Sequence, residues 1–341
     1  MTLPHLTLAQ APLTCEIDTI NEYGEHLAVS IPAERALTVY VDKRELVTLM
    51  TLGAHPELLV LGYLRNQRLV KEVAEIESIT VDWDVGAAAV KTRSGIKNIE
   101  EKTAKRVVTT GCGQGSVFGG LMDEVDQISL PTQASMTQGQ LYSLVNTIRL
   151  KETTYKSAGS VHACALFDTT AGEPNMLLFV EDVGRHNAID TIAGWMWINM
   201  APTLPTACGS LPPGGALRLR TGEAGSAALA GEEVAPTEGD NALADRQSPV
   251  RGPCLNDDDA PSQALGLVFY TTGRLTSEMV IKSAQMGVPI VVSRSGITQM
   301  GHQIAQMVGL CTIGRATNKR FLCYANAQRL TLVPRSLQTL I

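Results

Sequence analysis

Residues 264–314 read ALGLVFYTTGRLTSEMVIKSAQMGVPIVVSRSGITQMGHQIAQMVGLCTIG, and this stretch decides the fold class. Three short apolar runs predict buried strands, at 264–270, 288–293 and 310–314. Cap residues and closing glycines predict two helices between them, from Thr276 or Ser277 to Met286 and from 295–298 to Gly309. A strand–helix–strand–helix–strand series indicates a parallel sheet with right-handed crossovers. The chain is therefore predicted to be an α/β protein.

The sequence upstream extends this sheet and adds a smaller part in front of it. Strands are predicted at 27–31, 37–41, 77–82, 106–110, 161–167 and 176–180, the last two as a hairpin. Helices are predicted near 45–52 and at 131–150 and 188–200. We therefore expect a β-rich N-terminal part over residues 1–105 and a three-layer α/β/α domain over residues 106–341.

Residues 201–264 differ in composition from their surroundings. This stretch holds eight of the sixteen prolines, runs of Gly, Ala and Ser, and nine acidic residues against four arginines. Such a composition buries too little apolar area to offset the entropy of ordering the chain. The flanking segments belong to one predicted sheet, so we expect a disordered surface insertion rather than a linker between domains.

Composition limits the location and the partners of the chain. The net charge of −6 is concentrated in the acidic insertion and shows no basic face, which argues against a nucleic-acid partner. The sequence contains neither an apolar run of membrane-spanning length nor a signal-peptide pattern at its N-terminus. Seven scattered cysteines suggest free thiols in a reducing compartment. We therefore expect a cytoplasmic protein without membrane contact.

Arginines follow the predicted strands at one edge of the sheet. The segments after the strands are 181–187, 271–274, 293–296 and 315–320, with Arg185, Arg274, Arg294, Arg315 and Arg320. Ligands of parallel α/β sheets bind at the carboxyl ends of the strands, and guanidinium groups bind phosphates well. A solvated loop is the simpler explanation for any single arginine. For the whole set we favour a phosphate-bearing ligand.

Two histidines lie in these segments. His186 is either an acid/base or ligand-orienting group or, as is commoner for a lone histidine, a structural residue beside the helix start at Asn187. His162 lies in a predicted strand, in the order His162-Ala163-Cys164. Zinc deaminases need H-x-E together with P-C-x-x-C, and the chain has no Cys-x-x-Cys. We therefore expect no zinc and interpret His162 as a core residue.

Cys112 is the strongest candidate for covalent chemistry. It follows a predicted strand in the sequence TTGCGQGS at 109–116, where three glycines leave the backbone uncrowded. An exposed thiol there can attack an activated sulfur donor and become a persulfide. A glycine turn with an incidental cysteine is an equally good explanation of this segment alone. A dinucleotide-binding loop is disfavoured because Ser116 replaces the third glycine.

Taken together, these segments resemble the FdhD family, the formate dehydrogenase accessory sulfurtransferases. The matching motifs are GYLR at 62–65, TGCG at 110–113, GSVHA at 159–163, EDVGRHNA at 181–188, GRLTSE at 273–278 and VVSRS at 291–295. The resemblance extends over roughly residues 15–335, apart from the insertion. It implies a cytidine-deaminase-like fold without catalytic zinc, and it is compatible with a homodimer.

The resemblance also implies a function. Members accept sulfur from a cysteine desulfurase and pass it to a molybdenum bis(molybdopterin guanine dinucleotide) cofactor before that cofactor enters formate dehydrogenase. Cys112 corresponds to the persulfide-bearing cysteine of the family. The segment Arg315, Ala316, Thr317, Asn318, Lys319 and Arg320 falls where the family contacts the cofactor, and Arg185, His186, Arg274 and Arg294 suit its phosphates and guanine nucleotide.

The chain departs from the family in one informative position. Many members carry Cys-x-x-Cys in the cysteine loop, whereas this chain has Gly115 at the second cysteine position. A single cysteine still forms a persulfide but cannot close a disulfide within the loop. An alternative function is therefore a molybdenum-cofactor-binding chaperone that transfers no sulfur.

Overall fold

A computed structural model describes residues 3–96, 107–108, 115–116, 125–151, 154–200 and 265–334. The predicted insertion at 201–264 lies outside the described residues. The proposed division at residue 105 stays a prediction. Of the predicted strand at 106–110, the described part pairs Val107–Val108 with Gly115–Ser116 in antiparallel fashion.

The N-terminal part is built on a five-stranded sheet. Its strands are β1 (His5–Leu6), β4 (Arg35–Val41), β5 (Arg44–Thr51), β6 (Ile76–Asp82) and β7 (Ala87–Thr92), in the order β1-β6-β7-β4-β5. A separate ribbon pairs β2 (Thr14–Ile20) with β3 (His26–Pro32). Helix α1 (Pro56–Asn66) buries Leu59, Val60 and Leu64 in the same hydrophobic core as the sheet. The strands predicted at 27–31, 37–41 and 77–82 are confirmed.

The predicted helix at 45–52 is wrong, because these residues form strand β5. Asp42 and Lys43 both have positive φ, 48° and 72°, and this tight turn returns the chain along β4. In β5, Leu46 and Leu49 are buried in the core. The sequence analysis also missed α1, which begins at Pro56.

The C-terminal part contains a mixed six-stranded sheet in the order β12-β11-β13-β14-β15-β16. Its strands are β11 (His162–Asp168), β12 (Asn175–Asp182), β13 (Leu267–Thr271), β14 (Ile290–Ser293), β15 (Cys311–Thr317) and β16 (Arg320–Ala325). Strands β13, β14 and β15 are parallel, while β11 and β16 run antiparallel to their neighbours. The predicted parallel series and the predicted hairpin are both confirmed.

Helices cover both faces of this sheet. They are α2 (Gln138–Lys151), α4 (Arg185–Asn199), α5 (Ser277–Gln285) and α6 (Gln299–Met307), whereas the short α3 (Thr154–Ala158) contacts strand β3 of the ribbon. Helix α2 packs on one face through Leu141, Leu144 and Ile148. Helices α4, α5 and α6 pack on the other, through residues such as Ile189, Val280 and Ile304. The three-layer arrangement is confirmed, whereas the specific likeness to cytidine deaminases stays a prediction.

Two helices start elsewhere than the sequence predicted. Helix α2 begins at Gln138 rather than near 131, because Met136–Thr137 (β10) pairs with the distant Leu330–Thr331 (β17). Helix α4 begins at Arg185 rather than at residue 188, directly after the two-residue connection from β12. Arg185 and His186 therefore lie in the first turn of a helix and not in a loop.

Two glycines allow α1 and α4 to cross at very short distance. A Cβ on Gly62 would lie 1.7 Å from the carbonyl oxygen of Asp190, and a Cβ on Gly194 would lie 2.0 Å from that of Leu58. Neither position can hold a larger residue without separating the helices. This crossing joins α1, which packs on the N-terminal sheet, to α4, which packs on the six-stranded sheet. In the parts of the chain described here, no helix is long and apolar enough to cross a membrane.

Candidate functional site

Four strands of the six-stranded sheet point toward one edge, which we call the carboxyl edge. Strands β12, β13 and β14 end there at Asp182, Thr271 and Ser293, and β15 runs in the same direction beside them. The connections that follow β13 and β14 are short and lead into α5 and α6. The predicted rim of strand ends is therefore present, and it fixes the positions of the side chains below.

Three arginines, Arg185, Arg274 and Arg294, follow β12, β13 and β14 at this edge, and we call them the arginine cluster. His162 begins β11 and pairs with Asp182, so it lies at the same edge. Burial lowers the pKa of the half-buried His162, and the positive charges of all three arginines lower it further. His162 therefore lies at the edge rather than in the core, so its interpretation as a core histidine is wrong. The imidazole is neutral near pH 7, and the arginines give this edge a positive potential, which favours an anionic ligand.

The arginine cluster is positioned by neighbouring residues. Arg185 is buried, and its side chain passes so close to Gly273 that a Cβ there would lie 2.7 Å from its Cδ atom. The guanidinium of Arg294 stacks over the ring of Tyr155 at 5.4 Å. Arg274 is exposed. The motif glycine at 273 thus gives Arg185 the space to approach the edge.

Residues 315–320 form a cationic hairpin at the end of β15 and the start of β16, and the prediction of a loop over this whole segment is wrong. Asn318 and Lys319 make the turn, while Ala316 lies in β15 and is buried, which leaves it unsuited to contact a ligand. The Arg315 N–H donates a hydrogen bond of 2.7 Å to the Ser295 carbonyl, which ties the hairpin to the connection after β14.

The cationic hairpin borders an open groove of about 570 Å³. The described residues that line it are Arg315, Thr317, Lys319, Arg320, Phe321 and Leu322. Arg315 and Asn318 both have positive φ, 51° and 49°, a conformation that Asn tolerates and that is strained for Arg315. The Tyr142 hydroxyl donates a hydrogen bond to the Lys319 carbonyl at 3.2 Å. Three cationic side chains, those of Arg315, Lys319 and Arg320, therefore line this groove.

The acidic residues of the EDVGRHNA motif hold the fold together. Glu181 accepts hydrogen bonds from the backbone N–H groups of Thr154 and Tyr155, at 2.8 and 3.0 Å, at the start of α3. Asp182 accepts one from the Thr51 hydroxyl at 2.5 Å and one from the Asn187 amide at 2.9 Å. Burial raises the pKa of Asp182, although these hydrogen bonds oppose the shift. The motif thereby joins β5 to the start of α4.

A buried ionic network lies behind the arginine cluster and consists of His186, Asp190, Glu278 and Lys282. Lys282 Nζ lies 2.9 Å from an Asp190 carboxylate oxygen and 3.3 Å from a Glu278 carboxylate oxygen, and its side chain is 1% exposed. His186 Nε2 lies 3.5 Å from the other Glu278 oxygen. Asn66, from α1, donates to Asp190 at 2.7 Å. The network therefore links α1, α4 and α5.

Burial controls the protonation of this network. It lowers the pKa of His186 to about 3, against the opposing charge of Glu278, so the imidazole is neutral near pH 7. Burial also disfavours the charged form of Lys282, but Asp190 and Glu278 more than offset this and raise its pKa. Burial raises the pKa of Asp190, against the opposing charge of Lys282. His186 is therefore a buried, neutral neighbour of Glu278, and its assignment to the cofactor stays a prediction.

Sequence reasoning missed the buried ionic network apart from His186. Asp190 stands among the apolar residues Ala188, Ile189, Ile192 and Ala193, and Lys282 follows Met279, Val280 and Ile281. A charged residue within an apolar helix face is a signal for a buried ion pair, and it could have identified both residues.

Cys112 lies outside the described residues. Within the described ranges, no group of three or more His, Cys, Asp or Glu side chains is placed to hold a metal ion.

Comparison with known proteins places the chain in a family. The sequence model of the FdhD/NarQ family matches residues 32–206 and 250–331. The chain is 24% identical over 328 residues to the sulfur carrier protein FdhD of Bacillus pumilus, covering 94% of both chains. It is 25% identical over 311 residues to the FdhD of Bacillus subtilis, covering 91% of this chain and 92% of the other.

A solved structure shares the fold. A protein from Desulfotalea psychrophila, described as a formate dehydrogenase accessory protein, superposes with a TM-score of 0.60 at 18% identity. The match covers 94% of this chain and 100% of the other. The family match over most of the chain, together with this fold, shows that the protein belongs to the FdhD/NarQ family.

Proposed function

We propose that this protein is a sulfur carrier that accepts persulfide sulfur on Cys112 from a cysteine desulfurase. It passes that sulfur to the molybdenum bis(molybdopterin guanine dinucleotide) cofactor, in the cytoplasm, and so supports formate dehydrogenase. The observation that carries the proposal is the arginine cluster at the ends of parallel strands, joined to the cationic hairpin by the Arg315–Ser295 hydrogen bond, in a chain of the FdhD/NarQ family. The names of the relatives support the sulfur-carrying role.

The charges at the carboxyl edge suit the proposed substrate. A molybdopterin guanine dinucleotide carries a pyrophosphate, and arginine binds phosphate oxygens through paired N–H donors. The arginine cluster supplies three guanidinium groups, and the cationic hairpin adds Arg315, Lys319 and Arg320 around the groove. We assign the phosphates to these residues and the sulfur step to Cys112.

The sulfur step follows ordinary thiol exchange. The Cys112 thiolate attacks the terminal sulfur of the desulfurase persulfide, gains that sulfur and releases the desulfurase thiolate. Gly111 and Gly113 flank the cysteine in the sequence and add no side chain that could hinder a donor protein.

The deciding experiment combines a persulfide assay with a functional assay. Wild type incubated with a cysteine desulfurase and cysteine should gain one sulfur, about 32 Da, on Cys112. The Cys112→Ala variant should gain none there and should leave formate dehydrogenase inactive, whereas Cys15→Ala, at an exposed cysteine, should behave as wild type. A Cys112→Ala variant that fully supports the dehydrogenase would favour the cofactor chaperone instead.

Ligand binding at the edge can be tested separately. Guanosine diphosphate, titrated into the protein by calorimetry, should bind wild type and lose at least tenfold in affinity in Arg274→Gln. Lys91→Gln removes an exposed cation that pairs with Glu77 in the N-terminal sheet, and it should bind as wild type does. Equal affinities of all three proteins would contradict the assignment of phosphate binding to the arginine cluster.

A further inference from the structure

Two cysteines outside the proposed sulfur-accepting loop lie close together in the six-stranded sheet. Cys311 begins β15 and Cys323 lies in the neighbouring antiparallel strand β16, with their Sγ atoms 4.0 Å apart. Cys311 is buried, and Cys323 is half-buried. Both belong to the core on the α2 face of the sheet, together with Ile313 and Phe321.

The two strands are joined in a way that allows the sulfurs to approach. The pairing of β15 with β16 shifts register between Thr312 and Ile313, so Cys323 pairs with Ile313 while Thr312 pairs with Ala325. Bulges of this kind increase local twist and change the aim of neighbouring side chains. A disulfide needs a sulfur separation of about 2.05 Å, so the pair must close by about 2 Å.

We propose that Cys311 and Cys323 form a reversible dithiol/disulfide site that is oxidised by peroxides. Cys323 is the attacking thiol because it is the more exposed of the two, and Cys311 resolves the intermediate. The site lies at the base of the cationic hairpin and is separate from Cys112 in the sequence.

The chemistry balances in two steps. The Cys323 thiolate attacks one oxygen of hydrogen peroxide, which breaks the O–O bond, forms a sulfenic acid and releases hydroxide. The Cys311 thiol then attacks the sulfenic sulfur, the S–S bond forms, and water leaves with the thiol proton. Two thiols lose two electrons in total, and one peroxide is reduced to two waters.

The environment of each sulfur agrees with these roles. A hydrogen bond from the Cys311 thiol lowers the pKa of Cys323, which favours its thiolate. The same hydrogen bond and burial raise the pKa of Cys311, against the opposing charge of Arg329. The attacking sulfur is therefore the more acidic of the pair, and the thiolate is the form that attacks the peroxide.

Trypsin makes the test direct. Cleavage after Arg294, Arg315, Arg320 and Arg329 releases Cys311 in the peptide 295–315 and Cys323 in the peptide 321–329. These two peptides stay joined after digestion only if the cysteines form a disulfide. The full-length Cys112→Ala protein is used, so that the proposed sulfur-accepting thiol cannot exchange with the pair.

After one equivalent of hydrogen peroxide, the linked peptide should appear with a mass about 2 Da below the sum of its parts. Two thiols per chain should become resistant to alkylation, and dithiothreitol should restore both. Cys323→Ser should abolish the link, whereas Cys15→Ser, at an exposed cysteine in β2, should retain it. A protein in which 295–315 and 321–329 stay unlinked, or in which both thiols still alkylate fully after peroxide, would overturn the proposal.

Discussion

Replacing Lys282 with methionine should lower the free energy of unfolding by about 3–5 kcal/mol, the usual cost of removing one partner of a buried ion pair. The Lys282 side chain is 1% exposed, and the carboxylates of Asp190 and Glu278 lie 2.9 and 3.3 Å from its Nζ atom. Methionine fills a similar volume, so the loss of stability comes from removing the positive charge and not from opening a cavity. For a chain of this size the melting temperature should fall by about 4–7 °C.

The pH dependence of this variant follows from the pKa of Asp190. Burial already raises that pKa, and Lys282 opposes the shift, so the variant should raise it further. An acid whose pKa is higher in the folded state stabilises the fold at low pH and loses this contribution as pH rises through the folded pKa. The deficit relative to wild type should therefore shrink between pH 7 and about pH 5. Lys282 itself has a raised pKa and stays charged over this range.

Thermal unfolding of Lys282→Met at the two pH values, beside wild type and Lys91→Met, measures this prediction. Lys91 forms an ion pair of 2.7 Å with Glu77, but the two side chains are 66% and 42% exposed. Its removal should therefore cost less than about 1 kcal/mol. A loss below about 1 kcal/mol in Lys282→Met, or an equal deficit at both pH values, would refute the reasoning.

Three further perturbations test other parts of the structure. Gly62→Ala should lower the free energy of unfolding in urea by about 3 kcal/mol or more, because its Cβ would lie 1.7 Å from a carbonyl oxygen. Gly139→Ala has 3.9 Å to its nearest neighbour and should raise the free energy of unfolding by up to about 1 kcal/mol. Arg274→Gln should raise the pKa of His162 in an NMR titration, because the arginine charge lowers it; an unchanged pKa would place Arg274 away from the cluster. Asn326 has a φ of 53° and donates two hydrogen bonds of 2.9 Å, which both Asn326→Ala and Asn326→Gly remove. Because glycine adopts a positive φ without strain, Asn326→Ala should lose about 1 kcal/mol more stability than Asn326→Gly. Equal losses would show that the positive φ costs alanine nothing.

The carboxyl edge was largely predictable from the order of the elements. Parallel strands end at the same edge, so the arginines that follow β12, β13, β14 and β15 were expected to lie near one another. The structure places Arg185, Arg274 and Arg294 after β12, β13 and β14 at that edge, where their charges lower the pKa of His162. The hairpin at 315–320 was less predictable, because its residues belong to the irregular end of β15, to a turn and to the start of the antiparallel strand β16.

What the sequence alone determined is the local pattern. Apolar runs, cap residues and glycines predicted the series from β13 to β15, because each signal lies within one turn or one strand of the element that it shapes. The motifs at 181–188 and 273–278 also predicted the family without coordinates.

Tertiary structure decided the features that depend on distant partners. Residues 44–51 form a strand because β4 is beside them, and α2 starts late because β17 pairs with the residues before it. The buried ionic network forms only when α1, α4 and α5 meet, and Cys311 approaches Cys323 through a bulge between two strands. Such contacts join residues far apart in the chain, and no local periodicity records which of them will meet.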